Sequence, residues 1–127
     1  MMKKTVLILI LTVTFTAVEA QVMKKEKDGS YIVNTTTLAE DVEGYNGPTP
    51  LEITFRKNKI VRVVMLDNKE TPKFSARVKK TLLPQFEGQK VSKGKNVEVD
   101  GVTGATFTSD AVKENVKRGI EYYRKNK

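Results

Sequence analysis

Hydrophobic and polar residues alternate most regularly between residues 51 and 66. Leu51, Ile53 and Phe55 alternate with polar neighbours, which is the period of a strand with one buried face. Residues 57–59 (KNK) form a polar break, and residues 60–66 (IVRVVML) are again mainly apolar. This pattern predicts a β-hairpin, with the returning strand over residues 60–66.

The residues before this hairpin are less regular. Residues 30–37 contain a short apolar group followed by threonines and predict a first strand. Residues 21–29 are charged and are expected to form a loose lead-in. Residues 41–50 (DVEGYNGPTP) are rich in Gly, Pro, Asn and Asp, which predicts a loop between the first strand and the hairpin.

Two segments after the hairpin have the period of an α-helix. Apolar residues of the first segment recur at intervals of four: Phe74, Val78 and Leu82. They predict a helix over residues 72–83, with Thr71 as its cap, ended by Pro84 and Gly88. Apolar residues of the second share another helical face: Val112, Val116, Ile120 and Tyr123. They predict a helix over residues 109–124, and a short strand is expected at 97–99.

The first twenty residues differ in character from the rest. Lys3 and Lys4 precede an apolar run of thirteen residues at 6–18, and residues 18–20 (VEA) place small side chains before Gln21. This order is typical of a secretory signal peptide, and the run is shorter than the roughly 20 residues of a membrane span. The expected division is a signal peptide over 1–20, cleaved near Ala20-Gln21, and a single domain over 21–127. A retained anchor is the alternative.

Composition narrows the possible chemistry. The chain contains no cysteine and no histidine, which excludes disulfides, His-dependent acid–base catalysis and most zinc, copper and haem sites. The formal net charge is +8, but the lysines are scattered, and no Arg-rich or aromatic-interleaved motif of a nucleic-acid module is present. We therefore expect no nucleic-acid partner. Attraction to an anionic surface or an acidic partner is the functional alternative to a merely solvated basic surface.

One stretch stands apart from any predicted core. Residues 100–110 (DGVTGATFTSD) carry two glycines, an alanine and four hydroxyl side chains immediately before the second helix. A glycine-rich turn at a helix N-terminus can hold a phosphate, because free N–H groups point outward there. In this interpretation Thr108 or Ser109 caps the helix and Thr106 lies just before the cap. An ordinary hydroxyl turn with a helix cap is the alternative, and the stretch fits neither a P-loop nor a dinucleotide-binding fingerprint.

Residues 100–109 resemble the flavinylation motif of the FMN-binding domain family: Asp, two free positions, Ser or Thr, then Gly-Ala-Thr, often followed by a hydrophobic residue and Thr-Ser. This family includes the C subunit of the sodium-pumping NADH:quinone oxidoreductase and the G subunit of the Rnf complex. The resemblance implies that an ApbE-type flavin transferase moves FMN from FAD onto the last threonine of the motif. That residue is Thr106, and the link would be a phosphoester.

Two further segments match the family in order. Residues 44–48 (GYNGP) resemble the loop before the central hairpin, and residues 70–72 (ETP) resemble the segment that lies against the flavin ring. The chain departs from the family beside this segment. Residues 67–69 (DNK) stand where a His is common, and residues 73–74 (KF) stand where a Gly is common. These departures concern the ring-side loop and redox tuning, and the whole resemblance covers about residues 40 to 123.

The resemblance also implies a fold and a set of site residues. The fold is α+β, a small, twisted, mainly antiparallel sheet with two main helices packed on it and a core of about residues 30–124. The residues implied to surround FMN are Tyr45, Glu70, Thr71, Asp100, Thr103, Gly104, Ala105, Thr108 and Ser109. Those from 100 to 105 would present Thr106 and contact the phosphate. Glu70 and Thr71 would hydrogen-bond the ring edge, and Tyr45 would stack on the ring or anchor its loop.

The function implied is that of an exported flavoprotein, periplasmic or secreted, which carries electrons and has no catalytic residues or metal of its own. Its expected partners are the flavin transferase and a redox protein at or outside the inner membrane, and no transmembrane segment is expected in the mature chain. Two alternatives stay open. One is an exported basic binding module without a cofactor, and the other is a domain that binds flavin without a covalent bond.

Overall fold

The structure is a computed structural model that describes residues 22–92 and 97–127. The predicted signal peptide and its cleavage site lie outside the described residues. Four strands form one antiparallel sheet in sequence order: β1 (Met23–Lys25), β2 (Tyr31–Asn34), β3 (Leu51–Arg56) and β4 (Lys59–Met65). Two helical segments accompany it, so the predicted α+β fold is confirmed.

The central hairpin is confirmed. β3 alternates between fully buried residues and partly exposed ones, as its sequence predicts. Lys57 and Asn58 turn the chain with φ angles of 52° and 59°. Two successive positive φ angles are typical of the tight turns that match the right-handed twist of paired strands. A register shift between Thr54 and Phe55 lets both strands keep their apolar residues on the core face.

The predictions for the first and last irregular segments were partly wrong. Residues 21–29 are not merely a lead-in, because Met23–Lys25 pairs with β2. Backbone pairing holds this strand, and its charged side chains leave no hydrophobic period to detect. β2 is also shorter than the predicted 30–37, since Asn34 is its last residue. Residues 97–99 form no strand in the structure.

The first helical segment extends beyond its predicted end. It consists of α1 (Pro72–Arg77), a π-helical turn (Val78–Leu82) and α2 (Leu83–Phe86). Pro84 was expected to end the helix, but it occupies the start of α2. The wider π turn precedes the proline, with the Leu83 N–H donating to the Val78 carbonyl. Because Pro84 has no N–H and crowds the preceding turn, a local change of helical pitch accommodates it.

The second helix, α3 (Thr106–Asn126), begins three residues earlier than predicted. Its predicted apolar face is confirmed, since Val112, Val116, Ile120 and Tyr123 are all buried. The helix packs on β2 and β3, and Gly119 permits a close approach to Ile53. Among the described residues, no helix has the length and apolar character needed to cross a membrane.

Candidate functional site

Thr106 occupies the first position of α3 and is exposed to solvent. The preceding turn is fixed at both ends by buried apolar residues, Val102 and Ala105, and the Ala105 N–H donates to the Val102 carbonyl at 3.0 Å. Gly104 within this turn has a φ of +82°, which favours glycine over any residue with a Cβ. The buried ends and the tight turn therefore hold Thr106 at the surface.

The N-terminus of α3 has unusual chemistry for a helix start. Its N-cap residue is Ala105, so no side chain caps the helix, and its first turn carries no acidic residue. The prediction that Thr108 or Ser109 provides the cap was wrong, because both residues lie inside the helix and are buried. The first N–H groups of α3 have no intrahelical acceptor and carry the positive end of the helix dipole. The backbone beside Thr106 therefore favours an anion.

A pocket of about 280 Å³ adjoins Thr106. Three aromatic residues and the turn before α3 line it: Tyr45, Phe74, Gly104, Ala105, Thr106, Phe107 and Thr108. The Tyr45 ring centroid lies 5.8 Å from that of Phe74 and 6.2 Å from that of Phe107. Tyr45 is 60% exposed and Phe107 is 66% exposed, which is unusual for large aromatic side chains. The pocket thus presents open ring faces and edges to a planar ligand.

A buried carboxylate joins the walls of this pocket. Glu70 is only 6% exposed, and its Oε1 accepts hydrogen bonds from the Tyr45 N–H at 2.7 Å and the Thr108 hydroxyl at 2.8 Å. Its Oε2 accepts from the Asn46 N–H at 2.5 Å. The approach requires Gly44, because a Cβ at that position would overlap Oε1. Glu70 therefore ties the Tyr45 loop to the first turn of α3.

Two further contacts fix the same loop. The Asn46 side-chain amide donates to the Thr71 hydroxyl at 3.3 Å, beside the start of α1. At the other end, Arg118 of α3 donates to the Leu38 carbonyl at 3.1 Å and to both carboxylate oxygens of Asp41 at 2.5 and 3.2 Å. These bonds lower the pKa of Asp41 below its ordinary value of 3.8. The loop is thus held at its base by α3 and at its tip by Glu70 and Thr71.

The structure places the remaining predicted site residues on different sides of the turn. Asp100 is exposed, and its backbone pairs with the Gln85 side chain through an N–H bond at 2.8 Å and a carbonyl bond at 3.3 Å. The Thr103 side chain is exposed on the turn itself. Ser109 faces inward, and its Oγ is buried without a hydrogen-bond partner among the described residues. Of the residues that the sequence predicted at the site, Tyr45, Gly104, Ala105 and Thr108 line the pocket together with Thr106.

Three residues at the site were not singled out from the sequence. Phe74 was assigned to a buried helix face, and the structure places it half-buried in the pocket wall. Phe107 follows Thr106 directly. It is a large apolar residue in a polar turn, which could have indicated a role at the site, but no role was assigned to it. Arg77 donates from Nη1 to the Thr103 carbonyl at 3.4 Å, a contact between distant segments that no local pattern reveals.

Within residues 22–92 and 97–127, no group of three or more His, Cys, Asp or Glu side chains is arranged to hold a metal ion. The Glu70 carboxylate is buried and bound by three donors, and the reactive-looking group that faces solvent is the Thr106 hydroxyl. The site therefore offers an exposed hydroxyl, an anion-favouring helix end and an aromatic surface.

Comparisons with known proteins agree with this arrangement. The chain is 30% identical over 80 residues to a protein described as NADH:acrylate oxidoreductase from Vibrio harveyi, an alignment that covers 61% of this chain and 7% of that protein. No solved structure matches the chain at a significant level. The model of the FMN-binding domain matches residues 44–121, which is more than half of the chain and includes every residue of the pocket. This protein therefore belongs to the FMN-binding domain family.

Proposed function

We propose that this domain carries FMN as a phosphoester on Thr106 and serves as an electron carrier. The observation that carries the proposal is the position of Thr106, an exposed hydroxyl residue on the first turn of α3 and in the wall of an aromatic pocket. FMN itself follows from the family, whereas the covalent bond to Thr106 is our inference. FMN supplies the redox chemistry when bound, and the protein supplies position and electrostatics.

The size of the pocket supports a covalent link. Pockets that bury most of a small ligand usually measure roughly 300–1,000 Å³, and this one measures about 280 Å³ and is open. It therefore covers only part of a flavin, and aromatic contact with Tyr45, Phe74 and Phe107 buries little of the ligand surface. Because affinity without a covalent bond depends strongly on such burial, a tether is a direct way to retain the cofactor.

The chemistry of attachment fits the geometry at Thr106. In the proposed transfer, Thr106 Oγ1 forms a bond to the phosphorus nearer the riboflavin of FAD, and the bond from that phosphorus to the bridging oxygen of the phosphoanhydride breaks. AMP leaves with the bridging oxygen, and the hydroxyl proton passes to a base outside this chain. The resulting phosphodiester keeps one negative charge, which the positive end of α3 stabilises. Gly104 leaves the approach to Thr106 unobstructed by a Cβ.

The side chains around Thr106 have distinct roles in the proposal. Tyr45 and Phe107 offer exposed aromatic surface to the isoalloxazine, and Phe74 closes the inner wall. Glu70 holds Tyr45 and Thr108 in place through its three hydrogen bonds. Since both Glu70 oxygens already accept bonds from protein donors, we assign it to positioning rather than to direct contact with the ring. Thr71 lies beside the loop tip, where its hydroxyl accepts a hydrogen bond from the Asn46 side chain. We expect Thr71 to contact a ring edge only when this hydrogen bond is broken.

The proposal also includes export of this domain across the inner membrane. Residues 1–20 have the order of a signal peptide, and cleavage near Ala20-Gln21 would release the domain to a periplasm or to the exterior. An ApbE-type flavin transferase would load it there, and a redox protein at or outside the inner membrane would exchange electrons with it. An open pocket suits this role, because the partner can approach the flavin directly. N-terminal sequencing of the exported protein tests this part, and a start at Gln21 is expected.

The primary test is the intact mass of the protein produced in the exported compartment together with a flavin transferase. We expect an increase equal to FMN less one water, located on Thr106 by peptide fragmentation and absent from Thr106→Ala. Thr37→Ala is the matched control, because it makes the same exchange at an exposed threonine that does not line the pocket and should leave the FMN adduct in place. An adduct that persists in Thr106→Ala would refute the assignment.

The alternatives give different results in the same experiment. A domain that binds flavin without a covalent bond would be yellow, yet acid precipitation would release the flavin and the denatured mass would be unmodified. A basic binding module without a cofactor would be colourless and unmodified even with a transferase that labels another acceptor. Either result would reject the phosphoester on Thr106.

A further inference from the structure

We propose that Arg77 binds the phosphate of FMN at Thr106, both during transfer and in the finished adduct. This inference rests on the proposed function. Arg77 Nη1 donates to the Thr103 carbonyl at 3.4 Å, and a Cβ on Gly104 would lie 2.6 Å from the same nitrogen. The guanidinium group therefore lies against the backbone of the turn, two residues before Thr106.

The position of Arg77 follows from the fold. Arg77 is the last residue of α1, and Phe74 lies three residues earlier on the same helix, where it lines the pocket. Residues three apart on a helix share a face, so the aromatic wall and the guanidinium point toward the same turn. α1 thereby presents an apolar group to the flavin ring region and a cation to the region of Thr106.

The Arg77 guanidinium has further N–H groups available to bind an anion. It makes one long hydrogen bond to Thr103, and it forms no ion pair with a carboxylate among the residues that the structure describes. An arginine has five N–H donors in a planar fork that suits phosphate oxygens. The uncapped N-terminus of α3 begins two residues after Gly104, against which this guanidinium lies. A phosphoryl group on Thr106 would thus be near both a helix end and a cation.

The proposed contact acts at a defined step. As the Thr106 oxygen forms its bond to phosphorus and the phosphoanhydride bond of FAD breaks, negative charge increases on the phosphoryl oxygens and on the departing AMP. A guanidinium beside the turn stabilises that charge. After transfer, the same group pairs with the single charge of the phosphodiester. Arg77 is therefore expected to affect both the rate of loading and the environment of the loaded phosphorus.

The test compares the rate of FMN incorporation in four purified apoproteins treated with FAD and a flavin transferase. Arg77→Gln removes the charge and also the bond to the Thr103 carbonyl, because its amide nitrogen ends two bonds short of the position of Nη1. Arg77→Lys keeps the charge but removes the fork. Lys113→Gln is the matched control, because Lys113 is another cation beside the same segment: its Nζ lies 3.6 Å from the Cβ position of Gly101, which is five residues before Thr106. Circular dichroism and thermal unfolding of each apoprotein establish that it is folded.

We expect Arg77→Gln to slow incorporation about 10- to 100-fold, the range given by loss of one charge-assisted hydrogen bond. Arg77→Lys should recover to within about fivefold of the original chain, and Lys113→Gln should stay within about twofold. The ³¹P resonance of the loaded phosphodiester should shift in Arg77→Gln and not in Lys113→Gln. A merely structural role would appear instead as lower thermal stability of the Arg77→Gln apoprotein with an unshifted ³¹P resonance.

Each other outcome rejects the inference. Equal incorporation rates and an unshifted ³¹P resonance in Arg77→Gln would exclude a contact with the phosphate. Arg77→Gln and Lys113→Gln could instead slow FMN incorporation equally, with both differences from the unaltered chain removed by a raised ionic strength. The total charge of the domain, and not a contact from Arg77, would then steer the transferase. If Arg77→Gln does not fold, Arg77→Lys provides the test. An unshifted ³¹P resonance in Arg77→Lys would reject a contact between the guanidinium fork and the phosphate. Failure of the unaltered chain to accept FMN would refute the proposed function itself.

Discussion

The carboxylate of Glu70 should hold the pocket together, and its replacement by an amide tests this directly. Glu70→Gln keeps the size of the side chain but leaves one acceptor oxygen where the carboxylate has two. The three donors are the N–H groups of Tyr45 and Asn46 and the hydroxyl of Thr108, at 2.7, 2.5 and 2.8 Å. In either orientation of the new amide, its NH₂ group faces at least one backbone N–H, so one donor loses its acceptor.

The magnitude follows from the burial of the side chain. Glu70 is 6% exposed, so water replaces the lost acceptor poorly. A buried donor without a partner costs about 1–3 kcal/mol, and the lost bonds are to a charged group, which are the stronger kind. We therefore expect Glu70→Gln to lower the free energy of unfolding by about 1–3 kcal/mol. Glu87→Gln is the control, because Glu87 is exposed and should change stability by less than about 0.5 kcal/mol.

Two measurements identify the effect. Urea unfolding followed by far-ultraviolet circular dichroism gives the free energy, since a domain of this size usually unfolds in two states. Amide hydrogen exchange locates the change, and we expect the Tyr45 and Asn46 amides to exchange about tenfold faster in Glu70→Gln while the amides of β3 keep their relative protection. Unchanged stability and unchanged exchange at both amides would refute the reasoning, because the carboxylate would then not hold the loop.

Two further predictions concern the support of the site by α3. Gly119→Ala should destabilise the domain although alanine favours helix by about 1 kcal/mol, because its Cβ would lie 2.6 Å from the buried Ile53 Cδ1 and overpacking costs about 1–3 kcal/mol. Ile53→Val removes that atom, so the double variant should lose less stability in urea than the sum of the single variants, and simple additivity would contradict the packing argument. Arg118 lowers the pKa of Asp41 through their hydrogen bonds, so the stabilisation is present above the ordinary pKa of 3.8 and is lost as the pH falls through the lowered value. Asp41→Asn should therefore flatten the acid side of the stability profile, and profiles of equal slope would contradict this.

The sequence predicted the elements whose burial repeats locally. The hairpin and the apolar face of α3 could be predicted because each buried residue lies two, three or four positions from the next. That spacing is visible in the sequence itself. β1 was not predicted because it is a three-residue strand with one apolar residue, Met23, followed by two lysines, and backbone bonds to β2 hold it. The extension of the first helical segment through Pro84 was not predicted. The π turn accommodates the proline, and no residue pattern within residues 78–82 indicates such a turn.

The site could be predicted in part for a similar reason. The motif drew attention to Thr106, Thr108 and Glu70 separately, but the structure links the last two across 38 residues. Thr108 was expected to cap the helix because hydroxyl side chains commonly do so. Once Glu70 accepts the bond of its hydroxyl, Thr108 is satisfied inside the helix, and the helix can begin earlier, at Thr106. A long-range bond thus decides a local boundary, which explains why local reasoning misplaced it.

The placement of Thr106 explains how a small domain could hold an exposed cofactor firmly. Its helix is fixed at the far end by Tyr123, whose ring stacks on buried Phe55 with centroids 4.2 Å apart. Near its start it is fixed by the bond from Thr108 to Glu70. In the proposed adduct, a covalent bond to the first residue of a helix held at both ends would define the position of the phosphate without enclosing the ring. Specificity would then reside in the transfer reaction, and the open face of the ring would stay available to the proposed redox partner.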